Sequence, residues 1–486
     1  MKYDLIIIGG GVVGCALARE ASKYKLKTAL FEKEPDVAEG ISKANSGVLH
    51  AGFNIRPGSL KARFNLEGLS MCPPLAEELN VDFRITGKLV VGKTDGDLPY
   101  LRNLLSQGKK NGCSGLSIIG HERIRRLEPG VSARWALLSE STGIISPFQL
   151  TIALAENAAA NGVDFFLNSE VRALIPLQGG GFRLTTKTGI TADCGGIVNS
   201  AGMHAAGIKS LIEEHETLTY PCRGEYYITD KADGHLLSMP VYPVPPADGS
   251  GLGVHLTPTC NGNILIGPSA DYLADAEDTA TTSEVMRQLK KEAAELFPTL
   301  KDVVFIKNYA GNRPKLFDSG SGLSFADFII EESEKFPGMI NLIGIESPGL
   351  TSAPAIAKYV IEDLVSRRID LRKNPAFIGE HRGIIRTEGL SDEQLSALIA
   401  DNPDYGEIIC RCEGISRAEI IQAINNPLGA LSLNAIKKRT YSMMGRCQSG
   451  FCLPKIAAIL CEETGIAPEE IIKFTAASQV LTGRIK

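Results

Sequence analysis

No block of lysine and arginine suited to tracking phosphates or anionic lipid occurs in this sequence of 486 residues. Its 51 basic and 56 acidic side chains are spread along the chain and leave a net charge of −5, so nucleic acid is not an expected partner. No apolar run approaches the length of a membrane span, so no transmembrane segment is expected. Internal repeats and low-complexity tracts are absent too. The opening Met1-Lys2-Tyr3-Asp4 leads straight into an apolar strand too short for a signal h-region, and the expected location is cytoplasmic. Histidine is scarce, at seven residues, which narrows the choice of proton-transfer groups. What is present is an ordinary globular composition, 44% hydrophobic, long enough for roughly two or three domains.

The first forty residues carry a dinucleotide pattern. An apolar, β-branched run from Asp4 to Ile8 ends in Gly9-Gly10-Gly11-Val12-Val13-Gly14, a helix-like stretch follows from Cys15 to Tyr24, and a short strand from Thr28 to Phe31 ends in Glu32. Gly9 permits the tight turn, Gly11 lets the backbone approach a pyrophosphate, and Gly14 lets the helix pack on the strand. The helix N-terminus offers free N–H groups, and Glu32 is placed to accept ribose hydroxyls. The pattern alone leaves NAD and FAD open.

The last eighty residues hold four of the eleven cysteines in two pairs, Cys410-Arg411-Cys412 and Cys447 with Cys452, while Cys15, Cys72, Cys113, Cys194, Cys222, Cys260 and Cys461 are scattered and read as reduced, small hydrophobes. CxC and CxxxxC spacings suit a metal centre: zinc favours CxxC knuckles, and four thiolates also satisfy both irons of a [2Fe-2S] cluster. Ser416-Arg417-Ala418-Glu419 is a capping box that starts a helix. Gly445, Ser449 and Gly450 would let backbone N–H groups approach cluster sulfurs. From about Glu407 to Ala476, including Arg439 through Cys452, the chain resembles the bacterioferritin-associated-ferredoxin-like [2Fe-2S] domain fused to FAD oxidoreductases. That resemblance implies Cys410, Cys412, Cys447 and Cys452 as the ligands. A cluster takes electrons singly whereas hydride transfer delivers two, and a flavin can bridge the difference where a nicotinamide cannot, so the dinucleotide is expected to be FAD.

Three further segments fit one flavin domain: Asn45-Ser46-Gly47-Val48-Leu49-His50-Ala51-Gly52, Ile197 to Gly202, and Ser347-Pro348-Gly349-Leu350-Thr351. The last is a glycine loop feeding a helix N-terminus, suited to the flavin's electron-rich pyrimidine edge. Asn45, Ser46, Gly202, Gly349, Leu350 and Thr351 are therefore candidate cofactor contacts, and Val171 is added to them. Residues 1 to about 365 resemble the D-amino-acid-oxidase-type FAD superfamily, in particular its L-2-hydroxyglutarate branch, through Asn45–Gly52, Pro57–Ala62, Arg223–Tyr227, Tyr242–Pro245 and Gly253–Pro258. This implies an α/β nucleotide-binding domain interleaved with a substrate domain built on an antiparallel sheet. Phe53-Asn54-Ile55 stands where that branch tends to carry a pair of tyrosines, and the fused cluster points toward anaerobic glycerol-3-phosphate dehydrogenases. The substrate class, a small anionic alcohol, is shared.

An alcohol needs a base for its hydroxyl proton, and His50 and His255 are the histidines in flavin-side motifs. Its negative charge needs a fixed cation: Arg313 is the first choice and Arg223 the second, either of which could instead be a structural ion pair. Between Ser366 and Leu390 the composition turns polar, so residues 1–365 are expected to form the oxidoreductase, 366–404 a linker with a helix from Ser391, and 405–486 a small helical cluster domain. The cluster implies a redox partner protein, either a flavoprotein or an Fe-S subunit. Amine or imino-acid oxidation, and a non-catalytic electron-transfer subunit, are the alternatives.

Overall fold

The computed structural model describes residues 1–245, 253–316 and 326–483; the expected ranges 1–365 and 405–486 take in stretches outside that description. The N-terminal apolar run forms the strand Lys2–Ile8. It runs parallel to Thr28–Phe31 on one side, with Leu5 opposite Thr28, and to Thr191–Asn199 on the other, with Ile6 opposite Ile197. Asp164–Phe166 and Met339–Ile343 extend the parallel set. Such strands are covered on both faces, which explains their near-continuous apolar sequence. The helix Val12–Ser22 starts three residues earlier than its apolar pattern suggested, directly at Gly11, and every residue of it is buried. It shares one core with the helices Pro147–Ala160 and Gly349–Tyr359, including Leu17, Leu154 and Ile356.

The chain leaves this sheet after Thr28–Phe31 and again after Thr191–Asn199 to build a second one, and the two domains are interleaved as expected. Tyr220–Thr229 and Phe305–Lys315 pair antiparallel along their whole length, from Tyr220 opposite Lys315 to Thr229 opposite Phe305. One pair breaks the antiparallel pattern: Val241–Pro243 runs parallel to Leu89–Val91. Among the described residues no helix is long and apolar enough to cross a membrane.

The polar stretch read as a linker is tied down along its length. Lys25 N donates to the Arg372 carbonyl at 2.8 Å, and Asn157 Nδ2 to the Ile378 carbonyl at 3.0 Å. His381 Nε2 lies 3.0 Å from Glu156 Oε2. Composition marked these residues as surface, and surface segments can still be anchored through their backbone. Ser391 caps the helix Asp392–Asp401 through Gln394 N.

The C-terminal unit packs the helices Arg417–Ile424, Leu433–Thr440 and Leu453–Thr464 around a separate core of Ile420, Ile436, Ile456 and Leu460. Ser416 and Glu419 form the expected capping box. Buried charge docks this unit on the domain of the parallel sheet. Lys438 Nζ bonds Asp36 at 3.0 Å and Glu39 at 2.7 Å, while Arg439 bonds Asp36 at 2.8 Å and Glu156 at 2.7 Å. Burial alone would raise Asp36, but Arg439 and Lys438 hold it at about 2.

Candidate active site and cluster site

The glycine turn is shaped for a bound group. Gly9 has φ of +105°, and a Cβ there would lie 2.6 Å from the Ser200 carbonyl oxygen; one on Gly14 would lie 1.9 Å from the Gly9 carbonyl oxygen. Gly11 caps the helix Val12–Ser22 with no side-chain bond, and Val12 N is met by Ser42 Oγ at 2.9 Å. A tight turn at an open helix N-terminus fits a pyrophosphate. Glu32 Oε2 accepts from Gly10 N at 2.5 Å and Oε1 from Glu34 N at 2.9 Å, and burial raises its pKa. Gly202, with φ of +58°, opens the turn beyond Ser200. The Val171 side chain is buried in the sheet's core with Ile8 and Phe31, so only its backbone is available to a ligand.

A cavity of about 670 Å³ opens between the two sheets. Asn45, Ser46, His50, Gly349 and Leu350 line it from the nucleotide side, and His255 and Arg313 from the second sheet. Thr351 stands behind the wall, fully buried: its hydroxyl accepts from His50 N at 3.0 Å, which fixes the histidine loop against the helix Gly349–Tyr359. Arg223 is the sequence candidate that the fold places elsewhere. It is off the cavity wall and ion-paired to Asp278 at 2.9 Å and Glu225 at 3.1 Å. Alternation along Tyr220–Thr229 explains this, because Gly224 and Tyr226 face the cavity and Arg223 the opposite side.

Arg313 has no carboxylate partner among the described residues. Its Nη2 donates to the Ser269 carbonyl at 2.7 Å and its Nε to the Cys222 carbonyl at 3.3 Å. Sequence reasoning passed over three lysines on the same wall: Lys61, Lys88 and Lys315. Lys61 and Lys315 both bond Glu346, at 2.8 and 2.7 Å. With Arg56, five basic residues and two carboxylates, Glu346 and Asp327, line the cavity among the described residues, and the excess suits an anionic ligand. Both histidines are half-buried in the cavity wall and held neutral. His50 is pushed down to about 3 by burial and then by the nearby Lys88 charge, and His255 falls well below its usual value by burial, Lys88, His50 and Arg313. Lys61 lies in the stretch Pro57–Ala62, and Lys88 is a lone cation opening an apolar strand; those were the available signals.

The four C-terminal cysteines converge as two pairs. Cys452 sits against Cys410 and lowers the Cys410 thiol pKa, and the Met443 amide faces the same sulfur. Cys412 sits against Cys447. Among the described residues no three ligating side chains surround a single point; two thiol pairs, four thiolates in all, would suit a [2Fe-2S] cluster. Gly445 is required by contact: a Cβ there would lie 2.4 Å from Cys412 Cβ. Cys410 and Cys452 are buried, and Cys412 is exposed. The cluster loop is fastened to the second sheet, with Arg446 Nε 2.6 Å from Asp230 and Lys231 Nζ 2.6 Å from Glu413.

A flavin-type cradle, a cation-lined cavity and a paired cysteine site together define a redox enzyme, and sequence comparison says of which kind. Residues 4–362 match the FAD dependent oxidoreductase family and residues 408–462 the BFD-like [2Fe-2S] binding domain. The chain belongs to the FAD dependent oxidoreductase family, and its cofactors are FAD and a [2Fe-2S] cluster. It is 40% identical over 488 residues to a glycerol 3-phosphate dehydrogenase of Caloramator mitchellensis, covering 100% of this chain and 99% of that protein. It is 30% identical to the mitochondrial L-2-hydroxyglutarate dehydrogenase of Caenorhabditis elegans, over 75% of this chain and 94% of that one. Among solved structures, the FAD-bound, dithionite-reduced L-alpha-glycerophosphate oxidase of Mycoplasma pneumoniae superposes with a TM-score of 0.72 at 29% identity, covering 78% of this chain and 98% of that chain.

Proposed function

We propose that this FAD-dependent dehydrogenase oxidises glycerol 3-phosphate at its secondary alcohol and sends the electrons out through its own [2Fe-2S] cluster to a partner redox protein. The cation excess of the cavity carries the reading, because a phosphate brings two negative charges to a wall where Arg313 has no acidic partner among the described residues. The full-length relative named as a glycerol 3-phosphate dehydrogenase supports the same substrate. L-2-hydroxyglutarate, also a dianionic secondary alcohol, is the second reading, supported by relatives that match the oxidoreductase part.

Bound flavin supplies a two-electron acceptor that can release electrons one at a time. The chain's own residues do the rest. Gly9, Gly11 and Gly14 hold the dinucleotide, and Gly349 and Leu350 hold the ring edge at a helix N-terminus. Arg313 and Lys61 fix the phosphate, while His50 and His255, as neutral imidazoles, hydrogen-bond the hydroxyl and aim its C–H bond. For the exit, Tyr226 lines the cavity and Asp230, four residues along, holds Arg446 beside Cys447. Four residues of strand span about 13 Å, which sets the scale of the path.

The test is anaerobic. Glycerol 3-phosphate, L-2-hydroxyglutarate and a panel of amino acids are added separately to the purified holoprotein while the flavin bands are followed. Bleaching by glycerol 3-phosphate is expected. Bleaching only by L-2-hydroxyglutarate transfers the assignment to the second reading, and bleaching only by an amino acid refutes the alcohol reading.

A further inference from the structure

Lys88 opens the strand Lys88–Gly92 and is only 2% exposed, yet it lines the cavity. Its Nζ lies 3.4 Å from the centroid of the Tyr242 ring and 5.3 Å from that of Phe53. The His255 ring stacks on Tyr242 with centroids 3.4 Å apart and planes within 6°. A ring stacked that closely fills one face of Tyr242, so the Lys88 nitrogen sits over the other. No hydrogen bond or ion pair reaches this nitrogen among the described residues.

The titratable groups that share the cavity with it come from several elements. Tyr242 on the strand Val241–Pro243 is in contact with it, and His255 just before Leu256–Pro258 and His50 after Val48–Leu49 feel its charge; Tyr226 on Tyr220–Thr229, Tyr100 on the helix Leu98–Lys110, Arg313 and Lys315 on Phe305–Lys315, Arg56 and Lys61 line the rest of the wall. None is an anion at neutral pH. The two carboxylates of the wall are engaged elsewhere: Glu346 by Lys61 and Lys315, and Asp327 by the amides of Leu60 and Lys61 at 2.6 and 3.0 Å. A buried ammonium with no acidic partner releases its proton readily, and burial brings Lys88 to about 7. The two histidines are driven too low to keep a proton at neutral pH. A catalytic base works best when its proton affinity lies near the working pH, so within this cavity the amine is better suited than either imidazole.

We infer that Lys88 is the proton acceptor of alcohol oxidation, its neutral amine taking up the proton that the substrate hydroxyl loses. The O–H bond breaks and its proton forms a fourth bond to Nζ. The C–H pair leaves as hydride for the flavin, so the alcohol gives up two electrons and becomes a carbonyl compound. The ammonium returns its proton to water when product leaves. This assignment rests on the alcohol-oxidation reading, and leaves His50 and His255 to orient the hydroxyl.

The test is anaerobic rapid mixing of the holoprotein with glycerol 3-phosphate, following flavin reduction across the neutral pH range, for wild type, Lys88→Met and Lys88→Arg. In wild type the rate should climb tenfold per pH unit in acid and level off above about 7. Lys88→Met should lose about 10²–10⁴-fold and the break in the profile. Lys88→Arg keeps a cation but cannot shed its proton near neutrality, and should be as slow as Lys88→Met. Flavin and cluster spectra of each variant check that it has folded. A fast Lys88→Arg enzyme would show that the site needs only fixed charge, and an unchanged pH profile in Lys88→Met would equally overturn the assignment. A wild-type enzyme that no alcohol reduces refutes the alcohol reading itself.

Discussion

Replacing Arg439 by Met exposes how the cluster domain is held. In the wild type, Asp36 is fully buried and meets both Lys438 and Arg439, while Glu156 meets Arg439 and His381. Removing one partner of a buried pair leaves uncompensated charge, at a cost of about 3–5 kcal/mol. Asp36 is held at about 2 against an ordinary 3.8, so the folded protein binds this proton less tightly than the unfolded chain does. Its contribution, about 2 kcal/mol, is complete above about pH 4 and is lost as pH falls toward 2. Arg439→Met should raise Asp36 and move the acid loss to higher pH. In urea, followed separately through flavin fluorescence and cluster absorbance, the cluster signal of the variant should be lost at least about 1 M earlier, given slopes of about 1–3 kcal/mol per molar. Coincident urea curves and an unmoved acid limb would refute the view that this network holds the two units together.

Arg313→Ala should raise the substrate KM by about 100-fold with a smaller change in kcat, since about 3 kcal/mol of charge-assisted bonding is lost; an unchanged KM removes Arg313 as the anchor. Cys412→Ser should abolish the cluster's absorbance while substrate still bleaches the flavin, and turnover should persist only with a small-molecule oxidant that takes electrons from flavin directly. Gly14→Ala places a Cβ 1.9 Å from the Gly9 carbonyl oxygen, so the protein should purify without FAD or fail to fold; a yellow, active variant would show that the turn can move.

The sequence carried most of the scaffold and less of the site, for a physical reason. Strand Thr28–Phe31 and the capping box at Ser416 are local features, fixed by neighbours a few residues away, and both stand where the pattern put them. The cavity is assembled from residues far apart in the chain, and only the fold decides which side of a strand faces it. Arg313 was the first choice of cation and Arg223 the second; Arg223 opposes Asn312 and Arg313 opposes Cys222 across the same ladder, and just one of the two arginines, Arg313, reaches the cavity. Lys88 showed in the sequence only as a lone cation opening an apolar strand, because its surroundings, with no acidic neighbour among the described residues, are assembled by the fold and no linear pattern records them. The stretch Ser366–Leu390 taught the opposite lesson, since a polar composition says that a segment meets water without saying that it is free.

The central claim is that electrons taken from an alcohol at the flavin reach the cluster within the same chain. Glycerol 3-phosphate should be titrated anaerobically into the holoprotein while flavin absorbance and the paramagnetic signal of the reduced cluster are recorded together. Flavin and cluster hold one electron more than a single alcohol supplies, so the account predicts that the cluster signal grows alongside flavin bleaching and that completion takes more than one equivalent of substrate. A flavin that bleaches fully at one equivalent beside a cluster that stays oxidised would contradict it.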